Sequence, residues 1–369
     1  MEEQDRVPQR LARAIVILVM LGAGSASAQT LTPTDWDYKR EVTFTDFSGK
    51  GSLTNFPLLV KFDTSDNFYD GFDSVDGDDL RFTAEDGETV LNYEIEKWNT
   101  SGESFVWVQV TNLSHNGSIW AYWGNSGASQ PSYTTDGSTW SEGYTAVWHL
   151  DETAAKDSAA NASDGTANGS VSTTSGLIGD ALDFGGNPDS VQVANTGDMF
   201  GRSGTASITV SAWIKTSTDG STWPRVMDTD QSSSWVLNVR DDNERINFSR
   251  KDVVGHVQGT AAVTDDAWTY VVGTYDGTNV RLYDDGVQKG ITASSDSVGS
   301  GGANLMIGSN SGSGEYFQGL IDEARVSTVA RSSNWVWACF RNQGANHSSF
   351  VSYGSIERTA VPAGIFVIR

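Results

Sequence analysis

A carboxylate stands in the middle of a stretch that otherwise reads as an apolar strand face. Leu320, Asp322, Ala324 and Val326 share one face at period two, and Ile321, Glu323 and Arg325 share the other. A charge among apolar neighbours is costly unless it is paired, hydrogen-bonded or metal-bound. Asp322 therefore needs a hard cation such as Ca²⁺, the Arg325 guanidinium, or backbone N–H groups. Paired acids would mean a different chemistry. A retaining glycosidase holds two carboxylates about 5–5.5 Å apart across the scissile bond. On one strand that asks for acids at alternate positions, in an E-x-D-x-x-E run. Glu94 and Glu96 alternate, but no third acid follows at the required spacing, and the adjacent Asp322 and Glu323 face opposite sides. The expectation is a chain without catalysis.

Other reactive residue types are scattered. His115, His149, His256 and His347 show neither H-x-H nor H-E-x-x-H spacing, which argues against a zinc site. His149 shares a face with Val147 and Asp151 and reads as a hydrogen-bonded structural residue. No G-x-S-x-G elbow is present. The single cysteine, Cys339, excludes an internal disulfide, and its setting in W-V-W-A-C-F predicts a buried thiol. Carbohydrate recognition needs exposed aromatic faces beside polar groups. Trp213 points away from Ile208, Val210, Ala212 and Ile214 on its strand, and is expected to pack. The loop aromatics Trp223, Trp235 and Tyr316 are the ligand-binding candidates.

These side chains must be held by β-structure. The chain has 369 residues, 39 of them glycine and 11% aromatic, enough for about two domains. Long helical periodicity is absent, and short apolar runs between turn residues indicate an all-β chain. Phe56, Leu58, Val60 and Phe62 alternate onto one face. Residues 105–110 are apolar on both faces, which predicts a central strand covered on both sides. A net charge of −23 repels phosphate backbones and excludes nucleic acid as a partner class. Arg6, Arg10 and Arg13 precede an apolar run at 14–21, and Ala26-Ser27-Ala28 follows. That is the pattern of a signal peptide, residues 1–28, cleaved near Ala28. The run is too short to span a membrane. The mature chain is therefore expected without a transmembrane segment, secreted, periplasmic or at the cell surface.

Two resemblances refine this. W-D-Y-K-R-E-V-T-F, D-G-D-D-L-R-F-T, V-W-V-Q-V and W-A-Y-W-G-N-S-G-A-S, within residues 36–132, resemble the family catalogued as domain of unknown function 2341. That resemblance implies an envelope protein and a first β-sandwich, with no assigned chemistry. Residues 133–143 are polar and turn-rich and read as a linker. Then A-V-W-H-L-D-E, G-D-A-L-D-F-G-G, S-I-T-V-S-A-W-I-K, W-T-Y-V-V-G-T-Y-D-G and Y-F-Q-G-L-I-D-E-A-R occur in the order of laminin-G-like, concanavalin A-like jelly rolls. This resemblance covers about residues 146–327. It places the second domain, a concanavalin A-like β-sandwich, at 144–357, with a tail at 358–369.

The jelly-roll resemblance implies that the first and last strands lie side by side, which would bring Asp322 near Asp151, Glu152 and Asp157. Asp183 and Asp189 match acidic positions of the family's L-D-F-D-G-x-D-D-Y-V phrase, although Gly185 and Ser190 replace two of its residues. The structural Ca²⁺ ligands it implies are Glu152, Asp157, Asp183 and Asp322. The alternative is carboxylates satisfied by Arg325 or backbone N–H groups. The functional expectation is a secreted or cell-envelope binding or adhesion protein whose partner is an extracellular glycan or a surface protein. A concanavalin A-like glycoside hydrolase and a purely architectural envelope component stay open as alternatives.

Overall fold

The computed structural model describes residues 29–195, 200, 207–216, 223–229, 234–240, 244–250, 255–294, 303–310 and 314–359. The predicted leader, 1–28, and residues 360–369 of the predicted tail lie outside the described residues.

The first sandwich uses strands β1 (Tyr38–Phe44), β2 (Phe56–Phe62), β3 (Arg81–Thr83), β4 (Val90–Leu91), β5 (Tyr93–Lys97), β6 (Ser104–Val110) and β7 (Ser118–Trp123). One sheet runs β1-β7-β3-β4 and the other β2-β6-β5. The alternation of β2 places Phe56, Leu58, Val60 and Phe62 in the core of this sandwich and leaves Leu59 facing outward. β6 is central in its sheet and buried along its whole length. Val106, Val108 and Val110 enter the first core, while Phe105 and Trp107 enter a separate cluster on the far side. The sheet is apolar on both faces because both faces are covered.

The second sandwich covers that far side. Its strands are β8 (Tyr144–Trp148), β9 (Gly165–Asn168), β10 (Ser172–Ser175), β11 (Asp180–Gly185), β12 (Ser190–Val193), β13 (Ile208–Lys215), β14 (Arg225–Asp228), β15 (Trp235–Val239), β16 (Ile246–Arg250), β17 (Gly255–Gln258), β18 (Thr269–Tyr275), β19 (Asn279–Asp284), β20 (Val287–Ala293), β21 (Leu305–Ile307) and β22 (Gln318–Ser327). One sheet runs β10-β11-β22-β13-β18-β19-β20, with β8 also on β22, and the other runs β17-β16-β15-β14-β21-β12-β9. The first and last strands do lie side by side, with Trp148 opposite Ala324. Trp148, Phe184, Val210, Leu237, Phe248 and Leu282 are among the residues that fill the space between the sheets. Fully burying a side chain of this kind is worth about 1.5–3 kcal/mol. Gly273 must lack a side chain, since a Cβ there would lie 2.3 Å from the Phe248 ring.

Beyond β22 the chain returns to the first sandwich. Helix α1 (Ser333–Gln343) is capped by Ser332, whose hydroxyl accepts the Trp335 N–H at 3.2 Å. Asn342 of α1 pairs with edge strand β2 as a backbone would. Its Oδ1 accepts the Leu59 N–H at 2.7 Å, and its Nδ2 donates to the Leu59 carbonyl at 2.9 Å. That closes an edge otherwise open to another strand. After α2 (His347–Phe350), β23 (Val351–Tyr353) and β24 (Glu357–Arg358) pair with β1. The sequence boundary at 357 is corrected accordingly: the segment after β22 belongs with the first sandwich. Within the predicted linker, residues 133–143, Thr139 and Trp140 are buried. No helix among the described residues is long and apolar enough to cross a membrane.

Candidate functional site

The joint between the sandwiches gathers titratable side chains around a β-bulge. β22 pairs with β13 through Arg325–Ser211 and then Asp322–Trp213, so β22 carries one residue more over this interval. Glu323, at φ +55°, lies in the bulge. Alternation breaks there. Ile321, Ala324 and Val326 face the second core, whereas Asp322, Glu323 and Arg325 turn toward the joint. The period-two reading, which set Asp322 with Ala324 and opposite Glu323, is corrected by this bulge.

His149 follows β8 and meets these groups. Its Nδ1 lies 2.7 Å from Glu323 Oε1 and 3.4 Å from Glu96 Oε2, and its Nε2 lies 3.7 Å from Glu94 Oε1. Glu94 and Glu96 come from β5 of the first sandwich. Trp107 Nε1 donates to Glu96 Oε2 at 2.7 Å. Trp140 Nε1 donates to Glu94, as does the Ser158 hydroxyl at 2.6 Å. Arg325 donates to Glu323 Oε2, its Nε at 3.1 Å, and its guanidinium lies 4.3 and 4.7 Å from the Trp107 and Trp140 ring centroids. The Glu96 and Glu323 side chains are fully buried, while that of Glu94 keeps 18% exposure.

Burial governs protonation here. Loss of solvent pushes the Glu96 carboxyl up to about 8. It also raises Asp322 well above the ordinary carboxylate range, and the nearby Glu323 charge adds to this. Burial opposes charge on His149, but the Glu323 and Glu96 carboxylates outweigh it and hold the imidazole well above its ordinary value. Burial raises Glu323 as well, yet His149 and Arg325 bring it below its ordinary value. Chemically the joint can share protons or hold a small cation.

The open end of the second sandwich differs in character. β11, β13 and β15 end there, and β14 and β22 begin. A groove of about 440 Å³ crosses it, its polar lining supplied by Asp183, Lys215, Asp266 and Gln318. The Thr216 hydroxyl donates to the Gln318 carbonyl at 2.6 Å. The Arg225 N–H donates to the Glu315 carbonyl at 3.0 Å, and Arg225 Nε to the Glu315 carboxylate at 2.8 Å, which fixes the chain at Tyr316. Trp223, just before Pro224, sits at φ +57° with the Arg240 guanidinium 4.2 Å from its ring centroid. A non-glycine residue in this left-handed region costs on the order of 1–3 kcal/mol, and such residues concentrate at ligand sites.

Two family models match in succession. One, described as Domain of unknown function (DUF2341), covers residues 76–157. The other, described as Concanavalin A-like lectin/glucanases superfamily, covers residues 185–336. The chain carries a DUF2341 region followed by a concanavalin A-like domain. No curated protein matches it. Among solved structures it is similar to the binding domain of Paraclostridial Mosquitocidal Protein 1, at 11% identity and a TM-score of 0.46, over 55% of this chain and 52% of that one. It is similar to domain 4 of AbnA, an extracellular arabinanase from Geobacillus stearothermophilus in complex with arabinotriose, at 20% identity and a TM-score of 0.44, over 53% of this chain and 97% of that one. It is also similar to the receptor binding domain of botulinum neurotoxin C/D mosaic serotype, at 16% identity and a TM-score of 0.44, over 55% of this chain and 52% of that one. The chain thus spans about half the length of the two toxin domains.

The concanavalin A-like domain does not assemble the implied calcium ligands into one set. Asp157 Oδ1 accepts the N–H groups of Val147 and Ala159, both at 2.9 Å, and its Oδ2 accepts that of Ser163 at 2.7 Å. Asp322 Oδ2 accepts those of Leu177 at 2.8 Å and Ile178 at 3.0 Å, so backbone N–H groups are the partners it takes. Glu152 and Asp183 are exposed. Among the described residues, no three of these four bring ligand atoms within 4.8 Å of one another. Asp189 accepts the Gly185 N–H at 2.8 Å and the Ser170 N–H at 2.6 Å.

Of the aromatic candidates, Trp223 and Tyr316 sit half-buried at the open end. Trp235 is corrected. It lies in β15 with its ring fully buried and its Nε1 donating to the Phe200 carbonyl at 2.8 Å, because W-V-L-N-V forms a core strand rather than a loop. Trp213 is packed, its Nε1 donating to Gln343 Oε1 at 2.8 Å. The meeting of Glu96, His149 and Glu323 was not read from sequence. The available signal was charge placed on strands that are otherwise apolar.

Proposed function

We propose that the chain is a secreted or envelope binding protein without catalysis, and that the open end of its concanavalin A-like domain recognises an extracellular glycan. The observation that supports this is the separation of acids from access. The carboxylates that would make a hydrolytic pair lie sealed between two sandwiches, where no polysaccharide can straddle them. The open end carries a solvent-facing groove with polar groups, and the half-buried Trp223 and Tyr316 lie at the same end of the sandwich. Asp183 and Gln318 offer acceptors, Lys215 and Gln318 offer donors, and Trp223 and Tyr316 offer apolar faces for a sugar ring. A net charge of −23 favours neutral or cationic ligands over acidic ones.

Calcium narrows in this reading to Asp183, whose carboxylate is exposed in the groove beside Asp266. A thermal melt with Ca²⁺ and with chelator tests that assignment, and Asp183→Asn should remove any shift. A polysaccharide array, followed by calorimetry on the hits, tests the glycan reading. Binding that disappears in Trp223→Ala supports it. A blank array, together with capture of a surface protein by the same end, moves the partner from glycan to protein.

A further inference from the structure

We propose that Glu96, His149 and Glu323 bind one divalent transition-metal ion, with zinc the best match, and that this ion ties the two sandwiches together. His149 Nδ1, Glu96 Oε2 and Glu323 Oε1 converge, and a ligand atom from each lies within 4.8 Å of the others. Nδ1 is 2.7 Å from Glu323 and 3.4 Å from Glu96. Ligands around a tetrahedral zinc lie roughly 3.3 Å apart, given metal–ligand distances of about 2.0–2.2 Å. The cluster therefore needs only a small opening at Glu323 to admit the ion.

Each ligand also has an outer partner that fixes it, as metal ligands require. Arg325 holds the other oxygen of Glu323. Trp107 donates to Glu96. Glu94 stands 3.7 Å beyond His149 Nε2 and is itself held by Trp140 and Ser158. A metal on Nδ1 would take the place of the proton that Nδ1 now shares with Glu323, and the imidazole would keep its other proton on Nε2, on the side of Glu94.

Two further observations point to a bound species. Glu96 Oε1 and His149 Nε2 are buried without a hydrogen-bond partner, on side chains with 0% and 6% exposure. Buried polar atoms of native proteins are rarely left so. Charge points the same way. Glu94, Glu96, Asp322 and Glu323 gather near two fixed cations, Arg325 and Lys61. The mixed nitrogen and oxygen donor set suits zinc and its neighbours rather than calcium, which takes oxygen alone. Three protein ligands leave a fourth position for water.

Metal analysis of the purified full chain, before and after chelation and reloading with Zn²⁺ or Co²⁺, tests this. The expected results are about one ion per chain, a visible absorption band of four-coordinate cobalt, and a melting temperature raised by Zn²⁺ and not by Ca²⁺. Glu96→Gln and His149→Gln should lose the cobalt band. Glu94→Gln, which touches no metal, should keep the band and weaken affinity about 10–100-fold. Wild-type protein that retains no metal, shows no cobalt band and melts alike with and without Zn²⁺ overturns the proposal and leaves His149 as a proton-sharing bridge. A cobalt band unchanged in folded Glu96→Gln overturns it too, by placing the metal elsewhere.

Discussion

The joint between the sandwiches and the open end of the concanavalin A-like domain divide chemistry from access. The joint sets Glu94, Glu96, Asp322 and Glu323 against His149 and Arg325 and gives almost none of them to solvent. At the open end Asp183, Lys215 and Asp266 line a groove open to solvent, and Trp223 and Tyr316 sit half-buried at the same end. Reactive residue types mark a site of action only where a ligand can arrive. Where a polysaccharide cannot, the same residues can serve assembly, since a buried charge network favours the arrangement that pairs its members. In this chain the network lies where the two sandwiches meet.

The largest break in that comparison should come from Arg325→Ala. It leaves Glu323 and its neighbours buried without their cation, and stability in chemical denaturation should fall by about 3–5 kcal/mol. Glycan binding by the folded fraction should survive. Acid should come next, through His347. Burial lowers its imidazole to about 4, and its ring Nδ1 donates to the Asn342 carbonyl at 2.6 Å. Between the ordinary histidine value of about 6.5 and 4, the unfolded chain takes a proton that the folded chain refuses. Stability from this group is therefore complete above that window and falls by roughly 3 kcal/mol as pH drops through it. His347→Gln should flatten that part of the stability–pH curve.

A smaller effect tests the apolar core that both regions lean on. Gly273→Ala drives a methyl group against the Phe248 ring and should cost about 1–3 kcal/mol. Smallest in stability is Trp223→Ala at the open end, where the fold should change by no more than about 0.5 kcal/mol while binding is lost.

Much of the fold was legible because its signals are local. The apolar alternation of β2 and the two-sided burial of β6 follow from single-strand patterns, whereas the adjacency of β8 and β22 came from the jelly-roll resemblance and not from any pattern within the strands. The joint was not legible, for two physical reasons. A one-residue bulge at Glu323 turned Asp322 to the other face, and period two carries no trace of such an insertion. The partners of His149 come from β5 and β22, far apart in sequence, so no motif spacing announces them. Trp235 misled because polar serines before it look like a loop, although the residues that follow make a core strand. The return of β23 and β24 to β1 closes a contact across most of the chain, which neither composition nor spacing encodes.

Binding and turnover measured side by side on one polysaccharide panel test the division most directly. Wild-type protein should bind saturably, release no reducing ends over many hours, and lose binding with Trp223→Ala but not with Glu96→Gln. Sustained release of reducing ends that Glu96→Gln abolishes would contradict it, because the joint would then be an active site rather than a seam.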